Sequence, residues 1–286
     1  MCDESFLMQN ITMGEWDALM NKRPKFEKIG FLGDIHCGSY EGLWPKDLVP
    51  SKHNRYISTR YLNECFDHLV KTWPDLDLLV LMGDLIDGSQ HKSQGTGVYT
   101  TELSEQTEGA IEVIRPLAKK AKTIVRVWGT PYHEGFHGTL KRFDKEFDVN
   151  VVKQVLNIRL LPDSILNVAH HPSGNNAMYR GTQLDREAVW AAVAMQERKI
   201  PQNVRWIIRA HMHFYGYQET NSRAVAVIPC FQMPTPHAIK SNYFRFQPDI
   251  GAAIMHADDT HPFGYRLTPF LYDVPAPKVY EPEEIA

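Results

Sequence analysis

Five short apolar runs in this chain each end in side chains that bind metal ions or move protons. FEKIGFLGDIHCG ends in Asp34 and His36, LDLLVLMGDLIDG in Asp84 and Asp87, and KTIVRVWGTPYHEG in His133 and Glu134. SILNVAHHPSG ends in His170 and His171, and VRWIIRAHMHFYG in His211 and His213. A random scatter of the thirteen histidines would not keep choosing the ends of such runs. Aspartate and histidine, with Cys37 the one thiol nearby, suit Mn, Fe, Zn, Ni or Co. On an extended segment residues i and i+2 point the same way. Both members of Asp34-Ile35-His36 and of His211-Met212-His213 can therefore reach one cluster. A carboxylate among histidines can also bridge two ions about 3.5–4 Å apart.

The elements that must position these groups follow from the pattern. The runs are β-branched and leucine-rich and are bounded by glycine, as buried strands are. Helical stretches lie between them. Residues 55–73 place Ile57, Tyr61, Leu62, Cys65, Phe66 and Leu69 on one face. Gly109 and Pro116 interrupt the stretch 102–121, while 138–147 and 184–200 are regular. A short helix is expected around Met13–Met20, and 151–164 reads as a hairpin-type pair of strands. The polar, glycine-rich stretch 88–101 reads as a long loop beside Asp84. After His213, SRAVAVIPCFQ, DIGAAIMHAD and YRLTPFLYDV predict antiparallel strands that complete a second sheet. In open α/β sheets the loops beyond strand C-termini converge on one crevice, so all five ends are expected around one cavity. The expected organisation is a single domain over 1–286. Its core motifs lie in 29–216, sheet-completing strands in 217–275, and a proline-rich acidic tail in 276–286.

The composition, 43% hydrophobic and 23% charged, is that of an ordinary globular chain. No run of eighteen apolar residues is present, so no membrane span is expected. The N-terminus lacks the basic-then-apolar order of a secretory signal. Cys2, Cys37, Cys65 and Cys230 are far apart, which predicts reduced thiols and a cytoplasmic location. A net charge of −3 argues against a broadly basic surface coating nucleic acid and leaves room only for a local patch.

Taken in order, Asp34-Ile35-His36, Gly83-Asp84 with Asp87, Gly129 with His133-Glu134, His170, and His211-Met212-His213 resemble the motif series of the calcineurin-like metallophosphoesterases. The resemblance spans positions 34 to 213. It implies an α/β fold, a four-layer αββα sandwich of two mixed sheets flanked by helices. It implies two divalent metal ions, manganese favoured. Asp34, His36 and His213 would hold the first ion, Asp84 would bridge both, and His170 and His211 would hold the second. A bridging hydroxide would attack phosphorus. His133 would bind the phosphate and protonate the leaving oxygen, with Asp87 pairing to it or serving as a turn carboxylate. Two departures stand out. Ala210 replaces a glycine before His211, and Gly129-Thr130-Pro131-Tyr132-His133 replaces Gly-Asn-His, whose Asn ligates the second ion. Thr130, Glu134 and His171 are the candidates to complete that second site or to support its ligands; otherwise the site is weak. The Gly-Thr-x-x-His form resembles that of phage- or prophage-encoded members.

Three functional readings follow. The favoured one is a phosphodiesterase acting on nucleic acid or nucleotide, a DNase included. The others are a phosphomonoesterase, or a degenerate phosphoesterase fold used as a binding module. For nucleic acid, the basic candidates are Lys119, Lys120, Lys122, Arg126, Arg205 and Arg209. Aromatics in 213–218 and 241–246 are candidates to stack bases. Asn175, Asn176 and Arg180 follow His171 closely and are candidates to bind phosphate or sugar, or simply to form the turn.

Overall fold

The computed structural model describes residues 25–49, 56–135, 138–149, 151–173, 179–236, 239 and 247–274. The helix expected at Met13–Met20, the aromatic stretch 241–246, and Asn175 and Asn176 lie outside these residues. In chain order the elements are β1 (Lys28–Leu32), α1 (Ile57–Thr72), β2 (Leu78–Leu81), α2 (Leu103–Ala118) and β3 (Ile124–Val127). There follow α3 (Pro131–Glu134), α4 (Lys141–Glu146), β4 (Val152–Lys153), β5 (Val155–Leu161), β6 (Ser164–Ala169) and α5 (Arg180–Gln196). The last are β7 (Val204–Arg209), β8 (Gly216–Glu219), β9 (Ala224–Val227), β10 (Ile250–Ala257) and β11 (Tyr265–Tyr272).

The strands form two mixed sheets, ordered β11-β10-β1-β2-β3-β4 and β5-β6-β7-β9-β8. Three separate apolar layers give four layers of elements. Leu32, Leu79, Leu81 and Ile254 pack with Leu62, Phe66, Ile111 and Ile114 of α1 and α2 on the outer face of the first sheet. Ile29, Phe31, Val80 and Val125 meet Leu166, Val168, Trp206 and Ile208 between the sheets. Ile165, Ile207, Val225 and Val227 pack under Leu184 and Ala191 of α5. The layering is that of an αββα sandwich. It explains the strand sequences: both faces of each central strand are buried, so the runs are mostly apolar and do not alternate with polar residues.

Three expectations change. β10 and β11 join the first sheet, antiparallel beside β1, and not the second. Residues 250–255 are buried without a break. Ala253 and Met255 face the inter-sheet core while Ala252 and Ile254 face the helices, so β10 belongs inside a covered sheet. The stretch 151–164 is not one hairpin. β4 pairs with β3 in the first sheet, and β5 pairs with β6 in the second. Ile57 opens α1 in solvent, since the buried stripe of that helix runs through Leu62, Cys65, Phe66 and Leu69.

Candidate metal centre

β1, β2 and β3 run parallel, as do β6, β7 and β9, so the C-terminal ends of both sets lie at one edge of the sandwich. The loops beyond them are tied together by backbone hydrogen bonds. Asp34 N–H donates to Gly83 O at 2.9 Å, Ala210 N–H to His170 O at 3.0 Å, and Phe231 N–H to Asp34 O at 3.1 Å. Among the described residues ten non-glycine positions have positive φ. Five of them are Asp34, His36, Asp84, His211 and His213. Left-handed backbone at such residues costs roughly 1 kcal/mol or more each, and it persists where surrounding contacts over-determine it. Gly83 and Gly129 make the close approach possible. A Cβ on Gly83 would lie 2.7 Å from the Gly129 Cα and 2.9 Å from the His170 Nδ1.

The side chains converge. His36 Nε2 and His213 Nε2 lie 3.3 Å apart, and His213 Nε2 is 3.4 Å from Asp34 Oδ1. His170 Nε2 is 3.1 Å from Asp84 Oδ2 and 3.9 Å from Asp34 Oδ1. Asp34 Oδ2 accepts the His211 backbone N–H at 2.9 Å. Four ligand-type groups share atoms within 4.8 Å of one another: Asp34/His36/His213, Asp34/Asp84/His170/His211, His170/His171/His211 and His36/Asp84/His133. Ring orientation is fixed from behind. His170 Nδ1 donates to Met82 O at 2.7 Å, and His36 Nδ1 donates to Asp87 Oδ1 at 3.1 Å, which turns each Nε2 inward.

Charge follows from this crowding. Burial opposes ionisation of Asp34, but His170 and His213 outweigh it and hold the carboxyl at about 2. Burial likewise opposes a cation at His170, yet Asp84 and Asp34 raise it to about 9. Burial, with His170 and His171 adding to it, lowers His211 to about 4 and leaves its ring neutral. His213 is raised as well, against its burial, by Cys230 and Asp34, so the two buried carboxylates draw positive charge to this cluster.

The residues fit divalent ions. Asp34 Oδ1, His170 Nε2 and His211 Nδ1 are fully buried atoms without a hydrogen-bond partner, three of five such atoms among the described residues. Unpaired buried polar atoms are costly, and three turned to one place call for a ligand. The 3.3 Å between His36 and His213 nitrogens is also close to the span of two ligands each about 2.0–2.1 Å from one tetrahedral ion.

No protein-family profile matches this chain, and no curated protein matches it. Among solved structures it is similar to Vacuolar Protein Sorting 29 from Cryptosporidium parvum, at 10% identity and a TM-score of 0.45, over 87% of this chain and 99% of that one. It is similar to a novel archaeal phosphodiesterase at 11% identity and a TM-score of 0.42, over 85% of this chain and 99% of that one. A third likeness is Vps29 from Entamoeba histolytica complexed with zinc, at 12% identity and a TM-score of 0.42, over 86% and 99%. At these values the likenesses assign no residue a role.

Other candidates fall differently. Glu134 is not turned to the cluster: its Oε1 accepts the Leu85 N–H at 3.2 Å, and its Oε2 accepts Gly129 N–H at 2.9 Å and Arg126 Nη1 at 3.1 Å. Thr130 supports Asp84, with both its N–H and its hydroxyl donating to Oδ1 at 2.6 Å. The Asp87 carboxylate serves His36 first, since His133 Nδ1 is 3.7 Å from it and donates instead to the Asp87 carbonyl at 2.8 Å. Arg180 is committed elsewhere, to Asp249 and the Gln247 carbonyl, with its guanidinium over Phe214. His171 is exposed beside His170 and His211.

Among the described residues, several of the basic and aromatic candidates are engaged away from the cluster. Arg126 is buried against Glu134 and Asp144, and Arg209 against Glu187 and Asn167. Lys119 and Lys122 border a cleft of about 500 Å³ at the N-terminal end of β3, away from His133, and Lys122 pairs with Asp77. Phe214 is core under α5.

Sequence reasoning missed a sixth strand end. β9 is parallel to β7 and delivers Cys230, beside His213, and Gln232, whose Nε2 donates to Asp87 Oδ1 at 3.4 Å. It also missed Gln106, which is fully buried and accepts the N–H groups of Asp87 and Gly88. A signal existed: Gln106 shares the apolar face of Ala110, Val113 and Leu117, and a lone amide on such a face needs a partner.

Proposed function

We propose that this chain is a metal-dependent phosphoesterase whose substrate is a phosphodiester. The observation that carries the reading is the convergence of unpartnered Asp34 Oδ1, His170 Nε2 and His211 Nδ1 beside the paired Nε2 atoms of His36 and His213. Asp34, His36 and His213 would hold one ion, His170 and His211 a second, and Asp84 both. When bound, two such ions supply Lewis acidity, lower the pKa of water and clamp phosphate oxygens. The protein does the rest. His133 stands at the rim, its side chain 20% exposed, with Nδ1 donating to the Asp87 carbonyl. Its Nε2 is thereby left to face substrate and to hand a proton to the leaving oxygen. Thr130 and Met82 hold Asp84 and His170 in place, and the left-handed loops keep the ligands preset.

The diester preference rests on charge. A terminal phosphate dianion asks for cations beyond the two ions, and Arg126 of β3, Arg180 of α5 and Arg209 of β7 are all paired to carboxylates. The test compares bis(p-nitrophenyl) phosphate with p-nitrophenyl phosphate, each with Mn²⁺ added to metal-free protein. Faster turnover of the diester is expected. Preference for the monoester overturns the substrate class, and no metal-stimulated hydrolysis of either leaves a binding scaffold.

A further inference from the structure

His171 has no place in the two-ion set just described, yet it stands where a ligand is wanted. Its ring centroid lies 4.4 Å from that of His211 and 4.8 Å from that of His170, and the latter two are 5.1 Å apart. The three imidazoles form a closed triangle, each pair tilted by 64–79°. One ligand nitrogen from each lies within 4.8 Å of the others. Two corners of the triangle carry the buried, unpartnered atoms His170 Nε2 and His211 Nδ1. The third corner makes ring contacts and no hydrogen bond among the described residues, so it can turn inward without breaking one.

The competing donors are already used. Both Glu134 oxygens accept backbone N–H groups and one also binds Arg126. The Thr130 hydroxyl spends its proton on Asp84 and leans against that carboxylate. Asp87 is occupied by His36, Gln90 and Gln232.

We infer that His171 is a ligand of the second ion, which is therefore held by three imidazoles, His170, His171 and His211, and by the Asp84 carboxylate. This rests on the two-ion reading above. The donor sets then differ in kind. One ion sits among two carboxylates, Asp34 and Asp84, with two imidazoles. The other sits among three imidazoles with one carboxylate, a four-ligand set that suits Zn²⁺. The imidazole-rich site should prefer Zn²⁺ over Mn²⁺ more strongly than its neighbour does.

The test titrates metal-free protein with Zn²⁺ and reads stoichiometry and affinity calorimetrically, without any assay of activity. Wild type is expected to take up two Zn²⁺ per chain. His171→Ala is expected to keep one at wild-type affinity and to bind the other at least tenfold more weakly. Unchanged binding of both ions by His171→Ala overturns the inference and leaves the two-ion reading standing. Uptake of fewer than two ions by wild type defeats the two-ion reading and the inference with it. Since a surface substitution could still disturb the fold, His171→Cys loaded with Co²⁺ gives a direct signature. A thiolate-to-cobalt charge-transfer band places residue 171 on the ion, and two bound Co²⁺ without that band overturn the inference.

Discussion

Gly129 passes so close to Asp84 that a Cβ on the glycine would overlap both the Asp84 backbone nitrogen and its Oδ1. The third strand end and the carboxylate at the heart of the cluster are thus packed backbone to side chain. Gly129→Ala must displace Asp84. The expected outcome is a fall of at least tenfold in metal affinity together with loss of phosphoesterase activity. Metal content after equilibrium dialysis and turnover measured on one preparation check it.

His133 lies near His36 and Asp84, its ring centroid 4.5 Å from that of His36, and the proposed function casts it as a proton donor, with metal ligand as the competing role. The hydrogen bond from Nδ1 to the Asp87 carbonyl favours the donor. His133→Gln should lower turnover by about 10²–10⁴ while metal content stays at the wild-type level. Loss of an ion from His133→Gln would make it a ligand instead.

Much of this centre is legible in the sequence, because strand ends and glycines mark it. Asp34, His36, Asp84, His170, His211 and His213 all follow predominantly apolar runs, and parallel strands carry such ends to one edge. What the pattern hides are the choices made by three-dimensional pairing. Nothing in IGAAIMHA says which sheet will take it, since either would bury both its faces. Glu134 follows His133 directly and reads as a candidate ligand, yet one turn of α3 points it back at Arg126. Gln232 stays invisible because the strand before it was expected to run antiparallel, which would have sent its end to the opposite edge.

Glu134 joins two loops by accepting N–H groups from Leu85 and Gly129 while pairing with Arg126, which Asp144 also holds. Removing one partner from a buried ion pair costs about 3–5 kcal/mol. Glu134→Ala is expected to lose stability of that order in urea denaturation of the metal-free protein. A loss below about 1 kcal/mol, the worth of an exposed pair, would show the network to be loose.

Acid should act at a distance from the centre as well. Asp77 binds the Lys122 ammonium and accepts the N–H groups of Glu27 and Lys28 at the start of β1. The Lys122 hydrogen bond, helped by the two backbone donors, holds its carboxyl below the ordinary value. A lowered folded pKa gives stability that is complete above the unfolded value of about 3.9 and is lost as pH falls through the folded value. Asp77→Asn should therefore be less stable than wild type at pH 7, and the gap should close in acid. Urea midpoints measured from pH 7 down to pH 3 check it; a gap that widens in acid would reverse the assignment.

The cluster draws on both halves of the sandwich. Asp34 comes from the first sheet and His211 from the second, 177 residues later, and they are already tied by one hydrogen bond. An ion gripped by both sets of loops would act as a rivet through the open edge of two stacked sheets. Chelation would then loosen the docking of sheet on sheet at that edge, while the inter-sheet core around Trp206 stays clasped. The rivet would make metal supply a control on how firmly the two halves of the molecule stay shut, quite apart from any bond they cleave.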